Sequence, residues 1–133
     1  MFIDTSAVVA ILAGEPEAPA FIACIEAAGR RETGPHVRLE ATINLARILG
    51  LPVSVAQEMY DAFLATAGIT VVSIDDAVAR RAVQAFDTYG KGRGHSAQLN
   101  FTDCLSYACA ATDRVPILFK GRGFIHTDLD IAS

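Results

Sequence analysis

Apolar residues in this chain occur in two patterns, short continuous runs and longer stretches with helical spacing. The runs at 1–3, 69–74 and 117–119 are brief and rich in β-branched or bulky side chains, as buried strands are. Between them the apolar positions recur every three or four residues, which is typical of helices that pack one face against a core. Because strands alternate with helices, we predict an α/β fold with a short parallel sheet of about four or five strands, flanked by about six or seven helices.

Glycine, proline and capping residues divide the helical stretches. We expect helices over 7–13, from Pro16 to near Gly29, over 35–49, 54–68 and 75–89, and from about residue 100 to 112. Asp75 is placed to cap the fifth helix, and the run 54–57 matches a capping box for the fourth. In the third helix, Leu39, Ile43 and Ala46 are expected to share the face that packs on the core.

Three segments are harder to assign. A strand within 30–34 is doubtful, because Arg30-Arg31-Glu32 is a poor strand sequence. Residues 90–98 carry three glycines and several basic residues, which indicates a long irregular loop. Residues 124–126 are expected to form a last short strand.

The composition indicates one globular domain over residues 1–133. Hydrophobic residues make up 52% of the 133 residues and charged residues 20%, which allows a sizeable core and excludes a disordered chain. There are 11 Lys and Arg against 15 Asp and Glu, so the net charge is −4. A chain of this charge does not bind nucleic acid through its overall field, although a local basic patch can still do so.

The three cysteines, Cys24, Cys104 and Cys109, form no CxxC pair. We interpret them as buried thiols in a reducing compartment, rather than as metal ligands or disulfide partners. No apolar run reaches the roughly 20 residues of a membrane helix, and the N-terminus lacks the basic and apolar segments of a signal peptide. These features predict a cytoplasmic protein.

Three acidic residues stand apart from the solvated charges on helix surfaces. Asp4 follows the first strand, at the edge where ligands of open α/β sheets collect. Glu40 lies inside a largely apolar helix, and Asp103 lies in the first turn of another. Three carboxylates without a cysteine or histidine cluster suit a hard cation such as Mg²⁺ or Mn²⁺. Simpler interpretations remain open, since Asp4 and Asp103 can be helix-start acids. Glu40 can equally be the partner of Arg38 or Arg47.

Several short motifs, read together in order, resemble the PIN-domain ribonucleases, and more narrowly the VapC toxins of bacterial toxin–antitoxin pairs. They are Ile3-Asp4-Thr5-Ser6-Ala7, Leu39-Glu40, Tyr89-Gly90-Lys91-Gly92-Arg93-Gly94-His95, Leu99-Asn100-Phe101-Thr102-Asp103-Cys104, Leu118-Phe119-Lys120-Gly121 and Phe124-x-x-Thr127-Asp128. The resemblance spans Met1 to about Ile131. No single motif is decisive, but their order and spacing together are typical of the family.

The resemblance implies a metal site made by Asp4, Glu40 and Asp103. Asp4 and Asp103 match the most direct Mg²⁺ ligands of the family, and Glu40 would hold or orient the attacking water. Ser6 and Asn100 match polar residues that brace those carboxylates. The metal could be Mg²⁺ or Mn²⁺.

One position departs from the family pattern. The family tends to carry a fourth acid just before the phenylalanine of its last motif, and in this chain that position is Gly123. Asp128, close by in the sequence, is the candidate to take over part of the role. The departure bears on whether a second metal ion binds.

By this resemblance the chain is expected to be a Mg²⁺-dependent endoribonuclease toxin that cleaves RNA, with transfer RNA as the first candidate. Water would attack phosphorus in line and leave a 5′-phosphate and a 3′-hydroxyl. The expected partners are a second copy of the chain in a homodimer, the RNA substrate and a cognate VapB-type antitoxin, with DNA contacted only through the antitoxin. The apolar helices 7–13 and 21–28 are candidates to line the antitoxin groove, although core packing explains their residues equally well.

Basic residues near the glycine-rich motifs are candidates to guide the RNA backbone. They are Lys91, Arg93, His95, Lys120 and Arg122. The alternative is a flexible loop with solvated charges. His36 and His126 are interpreted as structural or surface residues rather than ligands.

Two other functions stay open at this point. Asp4 would suit the nucleophile of a phosphatase, but such enzymes normally carry a second acid two residues later, where this chain has Ser6. A PIN-like domain with weakened or lost cleavage would instead act as a binding module for an antitoxin or RNA, and Gly123 makes that alternative less remote.

Overall fold

A computed structural model describes all 133 residues. Its strands are Phe2–Ile3 (β1), Glu32–Thr33 (β2), Thr70–Val71 (β3) and Ile117–Leu118 (β4). Its α-helices are Thr5–Leu12 (α1), Ala18–Ala27 (α2), Pro35–Leu49 (α3), Val53–Ala67 (α4), Asp76–Tyr89 (α5) and Phe101–Asp113 (α6), and a 3₁₀ helix spans Phe124–His126. The predicted α/β class is confirmed, with four strands and six α-helices.

The four strands form one parallel sheet in the order β3-β2-β1-β4. β1 lies inside the sheet, where Phe2 is opposite Glu32 on one side and Ile117 on the other. Because the strands are parallel, their carboxyl ends lie along the same edge of the sheet. The residues that follow β1 and β4, including Asp4, are therefore brought to that edge together.

The core forms where the sheet meets the helices. Phe2, Ile3, Ile117 and Leu118 are all buried, as is the inner face of α3. That face consists of Val37, Ala41 and Leu45, each fully buried. Full burial of a side chain the size of Val37 or Leu45 stabilises a fold by about 1.5–3 kcal/mol.

The predicted core face of α3 was wrong for Leu39 and Ile43, whereas Ala46 is half-buried and packs against the core. Leu39 and Ile43 are 67% and 52% exposed. α3 packs against both α1 and α4, and this packing turns Ala41 and Leu45 inward instead. A stripe of apolar residues in a sequence does not reveal which of two adjacent stripes faces the core.

The doubtful strand at 30–34 does exist, and it lies inside the sheet. Glu32 is 2% exposed and Thr33 is fully buried. Arg30 donates from Nε to Glu32 Oε2 at 2.9 Å, and Thr33 Oγ1 donates to the carbonyl of Ile3 at 2.8 Å. These bonds supply partners for Glu32 Oε2 and Thr33 Oγ1, whereas Glu32 Oε1 is buried without a partner, so this poor strand sequence is only partly compensated.

Two further predictions failed at element ends. Residues 124–126 form a 3₁₀ helix, and the last addition to the sheet is a single bridge between Ile117 and Ile131. The capping box at 54–57 does not form, because α4 already begins at Val53 behind Pro52 and has no side-chain cap. Asp75 does cap α5 as predicted, through a hydrogen bond from the backbone N of Val78 at 2.9 Å.

The cysteines carry no disulfide. Cys104 and Cys109 are buried free thiols as predicted, whereas Cys24 is only half-buried. No single helix is both long enough and apolar enough to cross a membrane. α3 and α4 taken together have the required length and composition, but the two helices are bent by 119° relative to each other.

Candidate active site

Asp4 stands between β1 and α1 and is 5% exposed. Its Oδ2 accepts hydrogen bonds from the backbone N of Ser6 at 3.1 Å and from Ser6 Oγ at 2.7 Å, so Asp4 is also the cap of α1. Ser6 Oγ accepts in turn from the backbone N of Lys120 at 2.9 Å. Ser6 therefore ties the chain after β1 to the chain after β4 and fixes the Asp4 carboxylate between them.

Glu40 projects from α3 toward the start of α6. Its Oε2 accepts a hydrogen bond from Thr102 Oγ1 at 2.7 Å, and Thr102 also contacts Asn100 Oδ1 at 3.0 Å. The alternative of an ion pair with Arg38 was wrong, because Arg38 pairs with Asp61 at 2.7 Å. A partner that is a neutral hydroxyl orients the Glu40 carboxylate without neutralising its charge.

Asp103 lies in the first turn of α6, inside a capping box. Asn100 Oδ1 accepts from the backbone N of Asp103 at 2.9 Å, and Asp103 Oδ2 accepts from the backbone N of Asn100 at 3.0 Å. Burial raises the pKa of Asp103 to about 6, with the charges of Asp4 and Glu40 adding to the rise and the hydrogen bond from Asn100 opposing it. A carboxyl held at this pKa gains from any cation that comes close.

These three acids line one open pocket of about 520 Å³, which we call the acid pocket. Its other lining residues are Thr5, Ser6, Val9, Glu15, Asn44, Arg47, Ile48, Asn100, Lys120 and Gly121. Residues far apart in the sequence thus come together at the carboxyl edge of the sheet, where α/β folds bind their ligands.

The donor set of the acid pocket suits a hard divalent cation. Mg²⁺ prefers oxygen ligands and commonly binds through one or two carboxylates while it keeps several waters. No three carboxylate, imidazole or thiolate side chains anywhere in the chain are arranged to hold an ion together. Asp4 and Asp103 supply the one or two carboxylates that Mg²⁺ commonly takes, and Glu40 lines the same pocket.

His36 lies beneath this site and was not predicted to belong to it. Its ring stacks on Phe2 at 6.2 Å, and its Nε2 lies 2.8 Å from Ser106 Oγ. Burial lowers the pKa of His36, while the charges of Asp4 and Glu40 partly oppose that shift. The ring packs so closely on Gly34 that a Cβ there would lie 2.6 Å from its Cε1. His36 is thus a structural residue, as predicted.

Some of the five predicted RNA-binding residues are already paired with other side chains of the protein. The Lys120 ammonium lines the acid pocket but pairs with Glu15 at 2.6 Å and Glu17 at 3.3 Å. Arg93 pairs with Asp87 at 2.7 Å. The ring of His95 packs edge-on against Tyr89, and its Nδ1 accepts from the backbone N of Ala97 at 3.1 Å.

Lys91 and Arg122 are exposed, and neither lines the acid pocket. Together with Arg93 and His95 they lie outside the group of residues that the fold collects around the three acids. Only Lys120 of the five RNA-binding candidates belongs to that group.

Asp128 and Gly123 are not among the lining residues of the acid pocket. Asp128 instead accepts a hydrogen bond from the Tyr107 hydroxyl at 2.5 Å. A Cβ at Gly123 would lie 3.2 Å from Leu99 Cδ2, so an aspartate there would require Leu99 to shift slightly. The contact with Tyr107 is sufficient to explain why Asp128 is held in place.

Sequence reasoning did not assign Asn44 and Arg47 to the site, although both line it. The signal was present in their spacing, because positions 40, 44 and 47 lie on one side of a helix. Because Glu40 faces the pocket, Asn44 and Arg47, one and two turns further along α3, face it as well.

The assembled geometry agrees with comparisons to known proteins. The sequence model of the PIN domain matches residues 1–129. The chain belongs to the PIN-domain family. VapC30 of Mycobacterium tuberculosis is 40% identical over 129 residues, which cover 97% of this chain and 95% of that protein. VapC28 is 38% identical over 132 residues, covering 99% and 97%, and VapC42 is 36% identical over 129 residues, covering 97% and 96%. The chain is thus a VapC ribonuclease, of the toxin class of toxin–antitoxin pairs, as the motifs predicted.

Two solved structures share the fold of this PIN domain. VapC20 of Mycobacterium tuberculosis, described as a toxin that cleaves the sarcin–ricin loop, aligns with a TM-score of 0.73 and 19% identity over 99% of this chain and 98% of its own. A toxin–antitoxin complex from Klebsiella pneumoniae aligns with a TM-score of 0.68 and 16% identity over 96% and 92%. At these identities the likeness concerns the fold.

Proposed function

We propose that this VapC ribonuclease is a metal-dependent endoribonuclease that hydrolyses a phosphodiester bond of RNA in the acid pocket, with transfer RNA as its first candidate substrate. The observation that carries the proposal is the convergence of Asp4, Glu40 and Asp103 from three different elements on one open pocket. Each carboxylate accepts a hydrogen bond from a hydroxyl or a backbone amide rather than from a basic side chain. Such an arrangement orients negative charge and leaves it available for a cation.

Asp4 and Asp103 are the residues that would hold Mg²⁺ or Mn²⁺, which when bound supplies positive charge that acidifies a water and offsets charge on the phosphate. The Ser6 hydroxyl and the backbone N–H of Asn100 keep the two carboxylates oriented. Glu40, held by Thr102 through Oε2, would orient a water with its other oxygen and accept the proton that the water loses. Attack in line would leave a 5′-phosphate and a 3′-hydroxyl.

The proposal includes two protein partners. A VapB-type antitoxin would cover the acid pocket, and a second copy of the chain would form a homodimer. Of the two helices predicted to line an antitoxin groove, α1 is mostly core, with residues 7–10 buried, whereas α2 exposes Ile22 at 40%. α2 is therefore the better candidate for contact with the antitoxin.

Exposed apolar residues support the homodimer. Phe101 is 76% exposed and Leu39 67%. They are chain neighbours of Thr102 and Glu40, which are hydrogen-bonded to each other. Large apolar side chains exposed to this extent are available for contact with a second copy of the chain. The mass of the protein in solution, measured by light scattering for the wild type and for Phe101→Ser, tests this part of the proposal.

The deciding experiment is cleavage of total RNA by the purified protein with Mg²⁺ and with EDTA, followed by sequencing of the product ends. We expect cleavage at discrete sites, loss of cleavage in EDTA, and loss of cleavage in Asp4→Asn. The sequenced ends identify the RNA and the bond. If RNA stays intact under every condition while the protein is folded, the nuclease proposal is wrong.

The same assay separates the two alternatives. A phosphatase that uses Asp4 as nucleophile would release phosphate from a small phosphate ester while leaving RNA intact. A binding module would do neither and would still bind an antitoxin tightly. Membership in the VapC ribonucleases favours the nuclease over both. The cytoplasmic location is part of this proposal and stays a prediction.

A further inference from the structure

Arg47 is the one cation lining the acid pocket that is not paired with a carboxylate. It lies on α3 and is exposed, and its hydrogen bond is from Nη2 to Asn44 Oδ1 at 3.3 Å. The other cation of the pocket, Lys120, is held by Glu15 and Glu17. The Arg47 guanidinium therefore keeps most of its five donors for a ligand.

The position of Arg47 follows from the way α3 is fixed. Glu40 is tied to Thr102 of α6, which turns this side of α3 toward the pocket. Asn44 and Arg47 lie on the same side, one and two turns further along the helix. All three residues line the pocket, so Arg47 forms part of its wall.

The acid pocket is negatively charged, so the position of Arg47 in its wall matters for binding an anion. Four carboxylates line it, those of Asp4, Glu15, Glu40 and Asp103. A polyanion that enters such a pocket is repelled unless cations meet its phosphates away from the acids. Lys120 already carries two carboxylate partners, so Arg47 is the available cation, and a guanidinium can bind a phosphate through two parallel hydrogen bonds.

We infer that Arg47, with Asn44 as its support, binds a backbone phosphate of the RNA next to the one that is cleaved. The inference rests on the proposed nuclease function and adds a substrate-binding residue to it. Asn44 accepts from Arg47 and limits the directions that its side chain can take. Arg47 contacts the substrate backbone and takes no part in proton transfer.

The test measures binding of RNA in a variant that leaves it uncut. Asp4→Asn and Asp4→Asn with Arg47→Gln are compared by anisotropy on bulk bacterial transfer RNA in Mg²⁺, between 50 and 200 mM salt, a range chosen because phosphate contacts are strongly salt-dependent there. We expect Arg47→Gln to weaken binding by about tenfold at the low-salt end and to reduce the slope of log K against log salt by about 0.7 to 0.9. Arg47→Lys should keep the slope and lose part of the affinity, since a lysine retains the charge but not the paired donors.

The matched control is Arg81→Gln in the same background. Arg81 is an exposed arginine on α5 that contacts Thr112 at 3.4 Å and does not line the acid pocket. Its replacement changes the net charge equally and should leave the slope within error. Thermal unfolding of each variant confirms that the fold is kept.

The outcomes distinguish this inference from the proposed function. If wild type cleaves RNA and Arg47→Gln binds with an unchanged slope, the role of Arg47 is refuted and the nuclease stands. An equal loss of slope in Arg81→Gln refutes it as well, because the effect is then one of net charge. If the wild type cleaves no RNA, both the nuclease proposal and the inference about Arg47 are wrong.

Discussion

Helix α6 has carboxylates at both of its ends, and the two groups are held in different ways. At its start, Asp103 shares the acid pocket with Asp4 and Glu40, and their partners are hydroxyl and amide groups. At its end, Asp113 and Glu32 are bridged by one arginine, Arg30, whose nitrogens lie 3.3 Å from Asp113 and 2.9 Å from Glu32. We call this second group the arginine cluster.

The contrast distinguishes a structural acid from a site acid. Burial is the first cause of the raised pKa in both places, giving about 7 for Glu32 and about 6 for Asp103. In the arginine cluster the fold supplies its own cation, and Glu32 is 2% exposed. In the acid pocket none of Asp4, Glu40 and Asp103 is paired with a basic side chain, since the Lys120 ammonium is held by Glu15 and Glu17, and the pocket is open. Under the proposed function, acids paired with a cation of the fold support the structure, whereas the unpaired acids of the acid pocket would hold a cation from solution.

The largest expected effect is on catalysis by Asp103→Asn. Asparagine can keep the capping contact with Asn100 but removes a charge that would hold the metal ion. We expect RNA cleavage to fall by about 100-fold or more, the equivalent of several kcal/mol of lost transition-state stabilisation. The initial rate of cleavage at saturating Mg²⁺ measures the change.

The fold of Asp103→Asn provides the control. Removing one of three mutually repelling acids should leave the melting temperature without metal unchanged or higher. Mg²⁺ should raise the melting temperature of the wild type and raise that of the variant less, because a cation that binds the folded state stabilises it. Full cleavage activity in Asp103→Asn would remove the distinction between the two ends of α6.

The next effect concerns stability, through Arg30→Met. Without Arg30, Glu32 keeps a buried charge with Asp113 beside it. We expect a loss of about 2–3 kcal/mol at pH 8, below the range for fully buried pairs because the Arg30 side chain is 61% exposed. Urea unfolding measures it, and RNA cleavage at a temperature where the variant is folded should be unchanged.

The loss in Arg30→Met should also shrink at pH 5, where Glu32 takes up a proton. A variant as stable as the wild type at pH 8 would show that Arg30 does not compensate Glu32. The acids at the two ends of α6 would then differ only in exposure.

A smaller effect is the dependence of stability on pH, isolated by Glu32→Gln. The folded state holds the Glu32 proton more tightly than the unfolded state, since its pKa rises from 4.5 to about 7. This stabilisation is complete below pH 4.5 and is lost as the pH rises through about 7. The difference in unfolding free energy between wild type and Glu32→Gln should therefore shift against the wild type by on the order of 1–2 kcal/mol between pH 4.5 and 8, less than the pKa alone implies because of solvent near Arg30. A flat difference curve would contradict the assigned pKa.

The sequence predicted one end of α6 far better than the other. Asp4, Glu40 and Asp103 could be chosen because each sits in a short motif of a known family at a fixed spacing. The parallel sheet brings Asp4 to its carboxyl edge, and Glu40 and Asp103 reach the same pocket from α3 and from the first turn of α6. The α/β class could be predicted because apolar runs typical of strands alternate with stretches of helical spacing.

The arginine cluster could not be predicted from local pattern. Arg30-Arg31-Glu32 is a poor strand sequence because its charges favour solvent, and the contact with Arg30 is what offsets part of the cost of burying Glu32 next to Asp113. The exposure of Leu39 could likewise not be predicted from the sequence, since it depends on how α1 and α4 pack against α3. Tertiary contacts overrode propensity at both places.

The smallest expected effect tests whether Asp128 belongs with the site acids or with the structural ones. Asp128 accepts a hydrogen bond from Tyr107 and does not line the acid pocket. If it only holds Tyr107, Asp128→Ala, which removes the acceptor, should cost about 1 kcal/mol of unfolding free energy and leave the rate of RNA cleavage within about threefold. Tyr107→Phe removes the same bond from the other side and should have the same two effects. A fall in cleavage in Asp128→Ala that Tyr107→Phe does not reproduce would move Asp128 to the site acids, as the substitute for the acid that Gly123 lacks.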